Sequence, residues 1–172
     1  LASDHGEGLG DHNHVGHISQ LYDTLIRVPL VLSMPGTLPE GVRLPGPASL
    51  ADLFPTLAEL LGLEPPEDPH GVSLLPLLDG GSLERPIVAE TYRPEAASDK
   101  RALVDGGHKF IRSLSDDREW QELYDLETDA AEASDLAELD PERLAAMARR
   151  LEAMLAADGA GPAVPQEAPL TE

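Results

Sequence analysis

Ser3-Asp4-His5-Gly6-Glu7-Gly8-Leu9-Gly10-Asp11-His12-Asn13-His14-Val15-Gly16-His17 places four of the six histidines of this chain in one short glycine-rich stretch. Asp4, Glu7 and Asp11 lie within it and Asp23 just beyond. Imidazole and carboxylate are ligands of divalent cations, and glycine lets the backbone turn tightly enough to bring such groups together. The few residues before the loop read as the tail of a buried strand. Val28-Pro29-Leu30-Val31-Leu32-Ser33-Met34, closed by Pro35-Gly36, reads as a second strand, buried on both faces of a parallel sheet. Asp4 and His5 then leave a strand end for a glycine loop, where α/β folds bind ligands in a crevice.

Working outward, residues 18–26 predict a short helix with Ser19 as N-cap and Leu21, Leu25 and Ile26 as its apolar face. Residues 37–46 are a Pro/Gly loop. Asp52 is expected to cap a helix that runs to Leu61, with Pro55 in the first turn, a stripe of Leu53, Leu57, Leu60 and Leu61, and a stop at Gly62. Residues 64–70 read as a Pro-rich connector, and residues 74–78 as a helical turn ending at Gly80-Gly81.

From Arg85 the texture changes. Apolar runs at 87–92, 101–104, 109–113 and 120–126 alternate with turn clusters such as Asp105-Gly106-Gly107 and Ser115-Asp116-Asp117, the spacing of an antiparallel meander. Phe110, Trp120 and Tyr124 are spaced as its core residues. A last helix follows, with Asp140 as N-cap, Pro141 at its first position, and Leu144, Met147, Leu151, Met154 and Leu155 on one face. The Pro/Ala/Gly-rich tail, residues 158–172, is expected to be disordered. The expected fold class is thus α/β, with residues 1–84 forming an α/β portion and residues 85–157 a small antiparallel sheet with a terminal helix.

The composition restricts partners. Twelve basic residues against 32 acidic ones give a net charge of -20, which disfavours nucleic acid and anionic membrane surfaces. There is no cysteine, hence neither a disulfide framework nor a thiolate metal site. No apolar run approaches the roughly 18 residues of a membrane span. The compartment and the oligomeric state stay open.

From the residues alone, Asp4 and His5 supply two donors to a cation, and a catalytic site usually takes three or more protein ligands. The rest could come from His12, His14 or His17, or from elsewhere. The plainer alternative is a solvated loop. Tyr22, Asp23 and Arg27 fit helix packing and an ion pair, and His70 and His108 fit loop and turn positions.

The ordered series Ser3–His12, Gly16-His17, Leu21-Tyr22-Asp23, Arg27-Val28-Pro29-Leu30, Asp52-Leu53-Phe54-Pro55-Thr56-Leu57, Gly71–Leu78, His108-Lys109-Phe110-Ile111 and Glu122–Glu127 resembles the C-terminal half of sulfatases, members of the alkaline-phosphatase superfamily. The resemblance covers residues 1–157 and implies the C-terminal part of an alkaline-phosphatase-like sheet. It makes Asp4 and His5 the second pair of metal ligands, where many members have Asp-Asn. The implied ion is Ca2+, with Mn2+ or Zn2+ as alternatives suited to imidazole. His17, after Gly16, matches a lysine that contacts the sulfate oxygen, which implies a catalytic and substrate-binding role. His12 matches a histidine of the subgroup, structural or substrate-facing, and Glu7 an outer hydrogen-bond acceptor; His14 has no counterpart.

The implied substrate is a small-molecule or glycan sulfate ester. The family nucleophile, a formylglycine made from Cys or Ser in Cys-x-Pro-x-Arg or Ser-x-Pro-x-Arg, has no matching segment here. A start inside the motif is therefore expected to mean a fragment with little hydrolase activity of its own. A phosphonate or phosphate monoester hydrolase of the same superfamily, and a noncatalytic metal-binding or interaction module derived from a sulfatase, are the alternatives.

Overall fold

The computed structural model describes residues 1–44, 46–64, 70–93, 98–115 and 118–157. The tail expected to be disordered (158–172), most of the Pro-rich connector and the aspartates of the expected Ser115-Asp116-Asp117 turn fall outside them. Among the described residues no helix is long and apolar enough to cross a membrane.

The meander forms as the pattern requires. Strands β3 (Ile87–Arg93), β4 (Ser98–Asp105), β5 (His108–Ser115) and β6 (Arg118–Asp125) pair antiparallel in sequence order. β4 turns into β5 through Gly106 and Gly107 alone, both at positive φ (52° and 76°), the requirement of a two-residue hairpin turn twisted like its strands. Period-2 alternation then sorts the side chains. Leu103, Phe110 and Leu123 align across three strands and pack on Met147, Leu151 and Leu155 of α3 (Pro141–Ala157). Ala102, Ile111 and Tyr124 fill the other face, against Leu21 with Tyr22 and Ile26 beside it. The sheet is therefore a platform: one face holds α3, and the other holds the segment that leaves the histidine loop. Helix α3 begins as expected, Asp140 accepting the Arg143 backbone N–H at 3.0 Å.

Four expectations are corrected. Among the described residues, 28–34 form no ladder; an antiparallel bridge between Ala2 and Leu30 is their whole pairing there, and Val31 is 54% exposed. A strand needs hydrogen-bonding neighbours along its length, and only residues 1 and 2 meet this one. Helix α1 is a single turn, Asp23–Ile26, and Ser19 sits at φ 58°, outside cap geometry. The helix at 52–61 is capped by Ser49, which forms a reciprocal box with Asp52; a 3-10 turn (Leu50–Asp52) runs into α2 (Leu53–Leu60). Its buried face carries Pro55, Thr56 and Ala58, whereas Phe54, Leu57 and Leu61 face outward. Trp120 is 41% exposed rather than core, with the Lys100 ammonium 5.6 Å from its ring centre.

The α2 stop is where the sequence put it. Gly62 adopts φ 65°, and the Gly62 and Leu63 N–H groups return to the Glu59 and Ala58 carbonyls at 3.1 and 2.8 Å, a Schellman closure. The turn before the sheet is likewise a 3-10 helix, Leu75–Asp79, ended by left-handed Gly80.

Candidate functional site

The histidine loop folds as a miniature hairpin. Strands β1 (Gly8–Leu9) and β2 (Val15–Gly16) pair Gly8 with Gly16 and Leu9 with Val15. The turn between them departs from ordinary backbone: Gly10 lies at φ 122°, His12 at 51° and Asn13 at 55°. Glycine enters this region freely, and asparagine and histidine do so more readily than other side chains, though uncommonly; such residues gather at functional sites. Register places the residues flanking the hairpin, Glu7 and His17, opposite each other. His17 Nδ1 donates to Glu7 Oε2 at 2.9 Å.

His5 joins this pair from the incoming chain. Its ring stacks on His17, centres 4.4 Å apart and planes 25° from parallel. Its Nδ1 lies 2.8 Å from the Gly6 carbonyl, which can only accept. A hydrogen therefore sits on Nδ1, and Nε2 is the nitrogen left to act as a ligand in the neutral ring. Donor atoms of His5, Glu7 and His17 all lie within 4.8 Å of one another, at the exposed surface. Asp4 reaches the group through His5, its Oδ2 3.8 Å from His5 Nε2. Its carboxyl is held below the usual range, chiefly by the His5 backbone N–H and then by its own N–H and the neighbouring imidazole.

The structure thus brings three of the expected residues together, Asp4, His5 and His17, and adds Glu7 as a direct partner. It separates His12 from them. The His12 ring lies flat on Tyr22, centres 3.6 Å apart and 3° from parallel, with Tyr124 edge-on at 6.2 Å. Tyr22 and Tyr124 both donate to Glu122 Oε1, at 2.9 and 3.0 Å, and burial followed by that carboxylate pushes both phenols up. His12 anchors the hairpin tip to the sheet. His14 is half-buried with Nε2 unbonded among the described residues. His108 Nδ1 caps the Gly106 carbonyl at 3.0 Å, and His70 is exposed.

Glycines at 8 and 16 mark a hairpin register, and that register pairs 7 with 17. Only the turn geometry, with its left-handed His12 and Asn13, reveals that register.

The loop is fastened to α1 through Gly6, whose N–H donates to the Leu25 carbonyl at 2.7 Å. A Cβ on Gly6 would fall 2.0 Å from the Thr24 carbonyl oxygen, a backbone atom that cannot rotate away. Gly6→Ala is expected to destabilise the chain by about 1–3 kcal/mol and to displace His5. Thermal unfolding checks the first, and loss of the His5–His17 ring-current shifts in the proton spectrum checks the second.

Comparison with known proteins gives the family. Residues 10–158 match the family model described as N-sulphoglucosamine sulphohydrolase, C-terminal. The chain is 33% identical over 141 residues to choline-sulfatase of Rhizobium meliloti, covering 80% of the chain and 26% of that protein. It is 31% identical over 150 residues to Delta 4,5-hexuronate-2-O-sulfatase of Bacteroides thetaiotaomicron, covering 82% and 30%. Among solved structures it superposes on a 2-O GAG sulfatase with TM-score 0.73 and 25% identity, covering 90% of the chain and 35% of that one. It superposes on the phosphonate monoester hydrolase of Agrobacterium radiobacter with TM-score 0.68 and 26% identity, covering 90% and 34%. The chain spans about a third or less of the length of these proteins. It belongs to the sulfatase family and carries that family's C-terminal domain.

Proposed function

We propose that this chain supplies part of a divalent-metal site for the hydrolysis of sulfate esters, with Asp4 and His5 as ligands and His17 facing the transferred group. The observation that carries the reading is the pair of donors at the loop entrance. His5 Nε2 lies 3.8 Å from an Asp4 oxygen, a separation two ligands about 2.1 Å from one ion can have, and the Gly6 carbonyl occupies the other ring nitrogen. When bound, such an ion would neutralise charge on the substrate oxygens.

The remaining roles belong to the chain's own residues. The Glu7 bond engages His17 Nδ1 and leaves Nε2 as the ring nitrogen for the substrate: in the imidazolium form it would donate to a sulfate oxygen or pass a proton to the leaving oxygen, and in the neutral form it would accept one. These 172 residues contain neither Cys-x-Pro-x-Arg nor Ser-x-Pro-x-Arg, so the reading takes its nucleophile from outside them. Sulfate esters of small molecules or glycans are the proposed substrates, in keeping with the names of the choline and hexuronate relatives. A second reading, phosphonate or phosphate monoester hydrolysis, draws on the imidazole ligand, which suits Mn2+ or Zn2+ better than Ca2+, and on the likeness to the phosphonate hydrolase.

Calorimetric titration of the chain with Ca2+, Mn2+ and Zn2+ tests the ligands. Asp4→Ala and His5→Ala are each expected to weaken binding at least tenfold. Unchanged binding in both variants would remove them from the site. Reading the coding DNA upstream of Leu1 tests the reaction: an in-frame Cys-x-Pro-x-Arg or Ser-x-Pro-x-Arg supports it, and a start codon directly before Leu1 overturns it for this polypeptide.

A further inference from the structure

We propose that Glu7 is a positioning residue that fixes the tautomer and the orientation of His17, so that Nε2 of that ring is the atom offered to the substrate; what Nε2 meets rests on the sulfatase reading above. Three observations converge on it. The Glu7 carboxylate is an acceptor, so a 2.9 Å contact with His17 Nδ1 places the hydrogen on Nδ1. In water an unconstrained histidine side chain carries its proton mostly on Nε2, so the protein inverts the default.

The second observation is mechanical. Glu7 and His17 are 47% and 52% exposed, so burial does not impose the bond. The hairpin does, because Gly8 opposite Gly16 carries the next pair, 7 and 17, to hydrogen-bond distance. Gly16 needs its positive φ of 101° for that exit, and a Cβ on Gly8 would lie 2.9 Å from the Gly16 oxygen. Two glycines are thus required for the backbone approach that joins the side chains.

The third is the His5 ring stacked on the other side of His17. A carboxylate at one edge and an aromatic face alongside leave the imidazole with one tautomer and one plane. His5 obeys the same rule through a different acceptor, the Gly6 carbonyl, and also presents Nε2. The loop therefore turns two histidines the same way with two unrelated acceptors. A catalytic imidazole commonly has such an orienting partner on its second nitrogen.

The test is spectroscopic and does not require turnover. Nitrogen-15 multiple-bond correlation spectra of the 172-residue chain, metal-free and at pH 8.5, report which ring nitrogen of each histidine carries hydrogen. His17 is expected as the Nδ1–H tautomer, whereas exposed His70 shows the ordinary Nε2–H form. Glu7→Ala is expected to return His17 to Nε2–H, with the Gly6 amide and the sheet amides unmoved. Glu7→Gln is expected to keep Nδ1–H, since its amide oxygen accepts the same bond.

An Nε2–H His17 in the unsubstituted chain, or a Glu7→Ala spectrum identical to it, would overturn the proposal. Because the unsubstituted chain is itself informative, a misfolded variant does not remove the test. Failure here leaves the metal titration untouched, and failure of that titration leaves the tautomer untouched, so the two readings fall separately.

Discussion

Replacing Asp52 by alanine is expected to lower the stability of the chain by about 3–5 kcal/mol, the range found when one member of a buried ion pair is removed. Asp52 is fully buried. Its Oδ2 accepts the Ser49 N–H at 2.8 Å, closing the helix cap, and its Oδ1 accepts the Val72 N–H at 2.9 Å and the Arg85 guanidinium. One carboxylate thus joins the start of α2, the loop after it and the entry to the meander.

One turn later Thr56 continues the seam, donating to the Asp52 carbonyl at 2.6 Å and accepting the Leu74 N–H at 2.9 Å. Close approach is built in, for a Cβ on Gly71 would lie 2.0 Å from the Ala51 oxygen. Alanine at 52 strands two backbone donors and most of a guanidinium together. Asparagine keeps an acceptor and loses the charge, and should cost about half as much. Urea unfolding monitored by circular dichroism measures both. A loss below about 1 kcal/mol for Asp52→Ala would show that the seam contributes little to holding these segments.

The same residues show what the sequence disclosed and what it withheld. The meander and α3 were legible because their determinants are local: alternating runs, Asp105-Gly106-Gly107, and Asp140-Pro141 before a periodic face. Helix α2 was legible as a helix, and Gly62 as its end. Its inward face was not, because periodicity finds the broader apolar stripe and cannot say what lies opposite. Here the polar anchors Asp52 and Thr56 choose the face, and Phe54, Leu57 and Leu61 are left outward.

Residues 28–34 failed as a strand for the complementary reason. Apolar run length predicts burial, but a ladder depends on neighbours far away in sequence. In the site, Asp4, His5 and His17 were readable as residue types near a glycine loop. Glu7 was readable as an acceptor, but that its donor is His17, and that His12 lies on Tyr22, were not, since both depend on left-handed turn residues whose placement no pattern announces.

Lys109→Met is the second substitution expected to have a large effect, again about 3–5 kcal/mol. Lys109 is completely buried on β5, on the face turned toward the histidine loop. Its ammonium bonds Asp23, lies 2.6 Å from Glu132 Oε1 as an ion pair, and donates to the Leu21 carbonyl at 3.2 Å. Glu132 is itself held at φ 53° and accepts the Asp23 N–H at 2.6 Å. Methionine fills the volume but leaves two shielded carboxylates facing each other, with only the exposed Arg27 guanidinium, 3.7 Å from Asp23 Oδ2, as a cation.

The damage should travel. Asp23 opens α1, and the Leu25 carbonyl in that turn accepts the Gly6 N–H at 2.7 Å. Loss of the ammonium therefore loosens the base of the loop that carries His5, and metal affinity should fall along with the unfolding midpoint. The triple change Lys109→Met, Asp23→Asn and Glu132→Gln separates charge from shape. Removing all the charges from a buried cluster is often close to neutral, so the triple variant should recover most of the stability lost by Lys109→Met alone. If it is no more stable than the single variant, the lysine acts by packing and by its bond to Leu21, and the two carboxylates are bystanders.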